Sequence, residues 1–166
     1  MRKTMLWAIM MALVTCVGLT SCGSDSDDDN GGGGGVPVTE AQIVGLWQTD
    51  MDASYVIVAG QKYSMKDIDL DDNSRVRFNA DHSYAAYEWN SRTQKWVQDS
   101  SDNATWSLKN SVITIVFNKD GDTSEITVTS ISTNKMTVHD SYTEKDEDSG
   151  RTITIDMYET LNRVSE

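Results

Sequence analysis

Lys109-Asn110-Ser111-Val112-Ile113-Thr114-Ile115-Val116-Phe117 is the stretch that decides the fold class. Three turn-prone residues lead into a run in which Ile113, Ile115 and Phe117 alternate with Val112, Thr114 and Val116. A period of two puts the first set on one face of an extended strand and the second on the other. The same alternation recurs on both sides. Val76 and Phe78 are set between Arg75 and Arg77, and Ile126 and Val128 between Glu125, Thr127 and Thr129. Met136 and Val138 oppose Thr137 and His139, and Ile153, Ile155 and Met157 oppose Thr152, Thr154 and Asp156. Each run reads as a half-buried antiparallel strand with one wet face.

Polar, turn-prone clusters separate these runs at intervals of roughly ten residues: 79–82, 109–111, 118–122, 133–134 and 144–150. Sequential strands joined by short hairpins make an up-and-down meander. A meander of this length closes on itself, because closure removes its unpaired edges. The expected class is therefore all-β: an antiparallel meander closing into a barrel of about eight strands, preceded by one short helix. That helix is expected at Thr39-Glu40-Ala41-Gln42, where a threonine followed three residues later by glutamine fits a capping box. The interior is expected to be lined by Leu108, Ile113, Ile115, Ile126, Val128, Met136, Val138, Ile153 and Ile155.

The first 21 residues read as an address. Arg2 and Lys3 supply a positive start, and residues 5–19 are apolar but short for a bilayer span. Leu19-Thr20-Ser21-Cys22 resembles the lipobox of bacterial lipoproteins. That resemblance implies cleavage between Ser21 and Cys22, diacylation (palmitate or similar chains) on the Cys22 sulfur, and usually a further acyl group on the new amino terminus. Several chains make a stable anchor where one does not. Residues 24–30 contain four aspartates and no apolar side chain, and residues 31–35 are all glycine. Such a segment cannot offset its ordering entropy by burial, so residues 22–35 read as the lipidated cysteine and a flexible tether. An acidic run directly after the cysteine also resembles the export signal of one class of Gram-negative surface lipoproteins. The implied location is the outer membrane at the cell surface, with the periplasmic face as the alternative.

Removing residues 1–21 takes away Arg2 and Lys3 and no acid, leaving 12 basic residues against 26 acidic ones, a formal net charge of −14. No basic stripe is available for nucleic acid, and none for an anionic lipid surface. With Cys16 in the leader and Cys22 acylated, residues 36–166 hold no thiol for a disulfide, a metal or a nucleophile. They suit one domain with one core.

Gly45-Leu46-Trp47 at the start of the first strand resembles the opening motif of lipocalins. Phe78-Asn79-Ala80-Asp81-His82-Ser83-Tyr84 resembles a strand–turn–strand phrase of bacterial lipocalin-like lipoproteins, with His82 where glycine is usual. Thr105-Trp106-Ser107-Leu108, continuing to Ile115, resembles their next hairpin, and residues 126–138 and 157–164 match the last strands in pattern. The resemblance implies a lipocalin-like (calycin) barrel. It also implies a floor closed by Trp47 packed against an arginine near the barrel's end, for which Arg163 is the matching residue, with Gly45 beside it.

Candidate binding residues are aromatic. Tyr84, Tyr87, Trp89 and Trp96 surround the polar loop at 90–95, and Tyr84 and Tyr87 differ in strand parity, so both faces of that hairpin carry a ring. Asp67-x-Asp69-x-Asp71-Asp72-Asn73 begins like an EF-hand loop, but Asp72 and Phe78 stand where glycine and glutamate are needed, so no metal site is assigned. His82 and His139 fit neither an H-E-x-x-H zinc pattern nor a serine elbow, and no catalytic residue or cofactor is expected. The expected function is non-enzymatic: binding of a small hydrophobic or amphipathic ligand in the barrel of a membrane-anchored protein. The alternative is a filled barrel that holds a surface glycan or a protein.

Overall fold

The computed structural model describes residues 38–67, 74–99, 104–119, 121–145 and 151–165. The leader, Cys22 and the tether lie outside the described residues, as do residues 68–73 and 146–150 of the two acidic stretches. Among the described residues one short helix, α1 (Glu40–Ile43), precedes eleven strand segments. These are β1 (Gly45–Thr49), β2 (Tyr55–Val58), β3 (Gln61–Ser64), β4 (Ser74–Phe78), β5 (Ser83–Asn90) and β6 (Lys95–Gln98). They continue as β7 (Ala104–Lys109), β8 (Val112–Phe117), β9 (Thr123–Ile131), β10 (Lys135–Lys145) and β11 (Thr152–Val164).

Pairing reduces eleven segments to eight strands. β1 and β2 lie in succession along the same edge of β11, the first against Leu161 to Val164 and the second against Ile155 to Tyr158. β4 and β3 follow on the far side of β1 and β2. β6 and β7 likewise share one edge of β5. Three strands of the meander are thus each broken in two, and the ring runs β1-β4-β5-β7-β8-β9-β10-β11 and back to β1, antiparallel throughout. The protein is an all-β, closed eight-stranded antiparallel barrel with extended hairpins.

Local chemistry explains the turns. The β7–β8 hairpin has Lys109 paired with Val112, so its loop is Asn110 and Ser111, both at positive φ (50° and 64°). That is the two-residue geometry whose twist matches the flanking strands. Ala59 and Gly60 do the same between β2 and β3. At the β4–β5 turn the Ser83 hydroxyl and N–H both donate to Asp81, which holds that carboxyl below its ordinary range. For α1, Gln42 Oε1 accepts from the Thr39 N–H at 2.9 Å and its hydroxyl at 3.0 Å, the reaching-back half of a capping box.

The break between β1 and β2 is built rather than loose. Between the pairs Thr49–Leu161 and Tyr55–Tyr158, residues 50–54 face only Glu159 and Thr160. Ser54, only 1% exposed, fills the bend: its hydroxyl donates to Asp50 O at 2.6 Å and accepts from the Thr160 N–H at 2.9 Å. The bulge also switches parity, so Trp47 and Thr49 share the inner face with Val56.

The inner faces of the ring form the core. Ile43, Trp47, Phe78, Trp106, Ile113 and Met136 are its most buried apolar members, joined by Tyr84, Ile115, Val128, Val138 and Leu161. Leu108 and Ile126 pack against them half-buried. Ile155 is buried away from that cluster, beside Val58 on β2, and Ile153 is half-buried near the start of β11. Inner-face side chains from opposite walls of the barrel interlock here, which is where most of the folding free energy of such a domain arises.

Candidate functional site

One end of the barrel is plugged. The Trp47 indole N–H donates to Ile43 O at 2.7 Å, tying β1 to α1. Arg163 lies flat over the same indole, its guanidinium carbon 4.2 Å from the ring centroid. Its three nitrogen groups all donate to main-chain carbonyls: Nη1 to Val44 O, Nη2 to Gln42 O and Nε to Thr133 O, at 2.6 to 2.7 Å. The arginine therefore satisfies the end of α1 and the β9–β10 turn together. Gly45 sits beneath it at φ +144°, and a Cβ there would collide with Arg163 Nη1. Gly45, Trp47 and Arg163 thus form one structural unit, in which glycine is needed both for its backbone angle and for the arginine's approach. Phe78, Trp106 and Tyr84 continue the plug through edge and tilted ring contacts at 5.4 Å.

His82 closes the plug from outside. It stands at φ +66°, its ring stacks on Trp106 at 5.3 Å, and Nδ1 lies 3.1 Å from Trp106 O. Nε2 is 3.6 Å from Glu40 of α1.

Away from this end the inner face turns mixed. Thr49 and Ser74 share a hydroxyl–hydroxyl bond at 3.0 Å. Register places Asp140, Tyr142 and Glu159 on the same inner face as Val56, Ile155 and Met157. Aromatic and aliphatic side chains at the plug thus give way to alternating carboxyl, hydroxyl and apolar groups.

The aromatic hairpin divides by parity. Tyr84 faces inward, buried against Phe78, and so does not belong to a surface site: its inner-face neighbours across the sheet are Phe78 and Ala104. Tyr87, Trp89 and Trp96 face outward. Trp89 is 42% exposed and meets Trp96 edge-on at 5.4 Å. Arg75 reaches across from β4 to lie 4.2 Å over the Trp96 ring, while its Nε donates to Gln48 Oε1 at 3.0 Å. Arg75 was legible in the sequence only as a wet-face residue of its strand. The register Arg75–Tyr87–Gln98 is what brings it to the aromatic pair.

A second outer-face row was not foreseen. Lys62, Tyr55, Tyr158 and His139 stack in sequence across β3, β2, β11 and β10, with Lys62 Nζ 3.6 Å over Tyr55 and ring spacings of 4.8 and 4.4 Å. Burial, and then Tyr158, raises the Tyr55 phenol above its ordinary value. His139 Nε2 lies 3.3 Å from Asp156, not beside its sequence neighbour Asp140, which faces inward. Hydrogen bonds from Ser141 and then His139 hold the Asp156 carboxyl below the ordinary range. Among the described residues no group of three or more His, Cys, Asp or Glu side chains could hold a metal ion.

None of the curated proteins compared matches the chain. The family model for the lipocalin-like domain matches residues 43–138, from the end of α1 through the buried part of β10. The match covers more than half of the sequence and includes Gly45 and Trp47, with Arg163 lying beyond it on the strand that closes the ring. On this match and on its closed eight-stranded barrel, the chain belongs to the lipocalin-like domain family.

Proposed function

We propose that this protein is a cell-envelope lipoprotein whose barrel holds a small hydrophobic or amphipathic molecule without transforming it. The observation that carries the reading is the change along the inner face. An aromatic plug around Trp47, Phe78 and Trp106 gives way to a zone where Asp140, Tyr142 and Glu159 alternate with Val56, Ile155 and Met157. An apolar tail is accommodated against the first and a polar head against the second. Acylation of Cys22 would fix the protein to the outer membrane, and the acidic tether favours display at the cell surface.

Native mass spectrometry of the full chain from its own host tests this. A reproducible adduct, lost on denaturation and absent from Met157→Trp at unchanged melting temperature, is the expected result. Clean apo protein, unaltered after incubation with host lipid extract, would overturn it. Cys22→Ala should move the protein from the membrane to the soluble fraction.

A further inference from the structure

We infer that the outer face of β4, β5 and β6 is a binding platform for a carboxylate-bearing oligosaccharide of the uronic-acid type. The inference is independent of what occupies the barrel.

Three observations converge. First, one indole is open: Trp89 is 42% exposed and meets Trp96 edge-on, with Trp96 and Tyr87 half-buried on the same face. An exposed indole beside two further rings on one sheet face offers a contiguous apolar contact surface. Second, the charge is local and of the opposite sign to the rest. On this face the charged strand residues are Arg75 and Arg77, both cationic, in a chain of net −12, since register turns Glu88 and Lys95 to the other face. Third, Arg75 is held in place, stacked over Trp96 at 4.2 Å and anchored through Nε to Gln48 at 3.0 Å.

The chemistry that matches all three is an anionic sugar. A pyranose ring has C–H faces that stack on an indole and a rim of hydroxyls that needs polar partners, and Gln98 and the Tyr87 phenol flank the rings on the same face. A carboxylate on that ring suits a guanidinium whose plane is already fixed, since less side-chain freedom is lost on pairing. An acidic peptide would satisfy the charge but makes no use of an exposed indole flanked by hydroxyl and amide groups.

The test uses the full-length chain in detergent, titrated with oligogalacturonate, oligomannuronate, a neutral oligosaccharide of the same length and poly-glutamate, and followed by tryptophan fluorescence and calorimetry. A polyuronate should bind about tenfold more tightly than the neutral sugar, with the preference shrinking at high salt. Trp89→Ala should weaken polyuronate binding about tenfold at unchanged melting temperature. Arg75→Gln should abolish the preference while neutral-sugar binding remains. Failure of both polyuronates at millimolar concentration overturns the inference. So does indifference to Trp89→Ala. Equal or tighter binding of poly-glutamate overturns it in favour of an acidic-peptide site.

Discussion

Arg163 on the last strand lies over the indole of Trp47 on the first, and the same guanidinium bonds three main-chain carbonyls from α1, its exit and the β9–β10 turn. Removing it leaves Gln42 O, Val44 O and Thr133 O to find new partners and uncovers the ring. Arg163→Ala should cost about 3 kcal/mol, and Arg163→Lys about 2, because an ammonium cannot span three acceptors or stack as a plane. Urea denaturation at constant m-value measures both. Gly45→Ala should cost about 2 kcal/mol or more, from its backbone angle and the collision with Arg163. Costs that add independently in Gly45→Ala/Arg163→Ala would refute that collision, since residues in contact should couple.

Ser54 contributes more than its size suggests. Its hydroxyl is both donor to Asp50 O and acceptor for the Thr160 N–H within a buried bend. Ser54→Ala strands the Thr160 amide and should destabilise the protein by about 2 kcal/mol. Ser54→Thr keeps the hydroxyl, so it should cost less if the extra methyl fits. Equal loss for the two variants would assign the effect to packing alone.

His82 occupies a left-handed position where glycine would be unstrained. His82→Gly relieves about 1 kcal/mol of backbone cost but forfeits the stack on Trp106 and the bond to its carbonyl. The two nearly cancel, so the change should be within about 1 kcal/mol of neutral. His82→Val keeps the strain, adds a branched Cβ and loses both contacts, and should be clearly worse. Thermal melts of the two variants separate these outcomes.

Asp156 links pH to stability. Its carboxyl is held below the ordinary range by Ser141 and then His139, so the folded state binds its proton less readily than the unfolded chain. The contribution is fully present above the unfolded value, about 4, and is lost as pH falls through the lower folded value. Asp156→Asn should lower the urea midpoint at pH 6, and the gap to the parent protein should close as pH falls below the unfolded value of about 4. A gap that is constant across that range would count against the assignment.

Alternation was enough to read the fold. Ile113, Ile115, Val128, Met136 and Val138 lie inside because a period of two leaves no other face for them. The broken strands were not legible. The bulge at residues 50–54 shifts parity, so no single alternating frame joins Trp47 to Val56. Contacts made across the ring were hidden for a related reason. Tyr55 meets Tyr158, and Arg75 meets Trp96, only through registers that hairpin spacing does not set. The aromatic hairpin could be located from its rings, but its cation could not.

Closure by β1 and β11 has a temporal side. Arg163 meets Val44 across 119 residues of chain, so the contact that seals the plug is among the longest-range in the domain. Pairings of that range form late. During synthesis, β1 leaves the ribosome well before its partner and waits as the bare margin of an open sheet. A nascent chain halted before β11 therefore has two unprotected margins, β1 and β10, each a template for another chain. Truncation of the final strand is thus expected to yield an aggregating sheet rather than a smaller barrel.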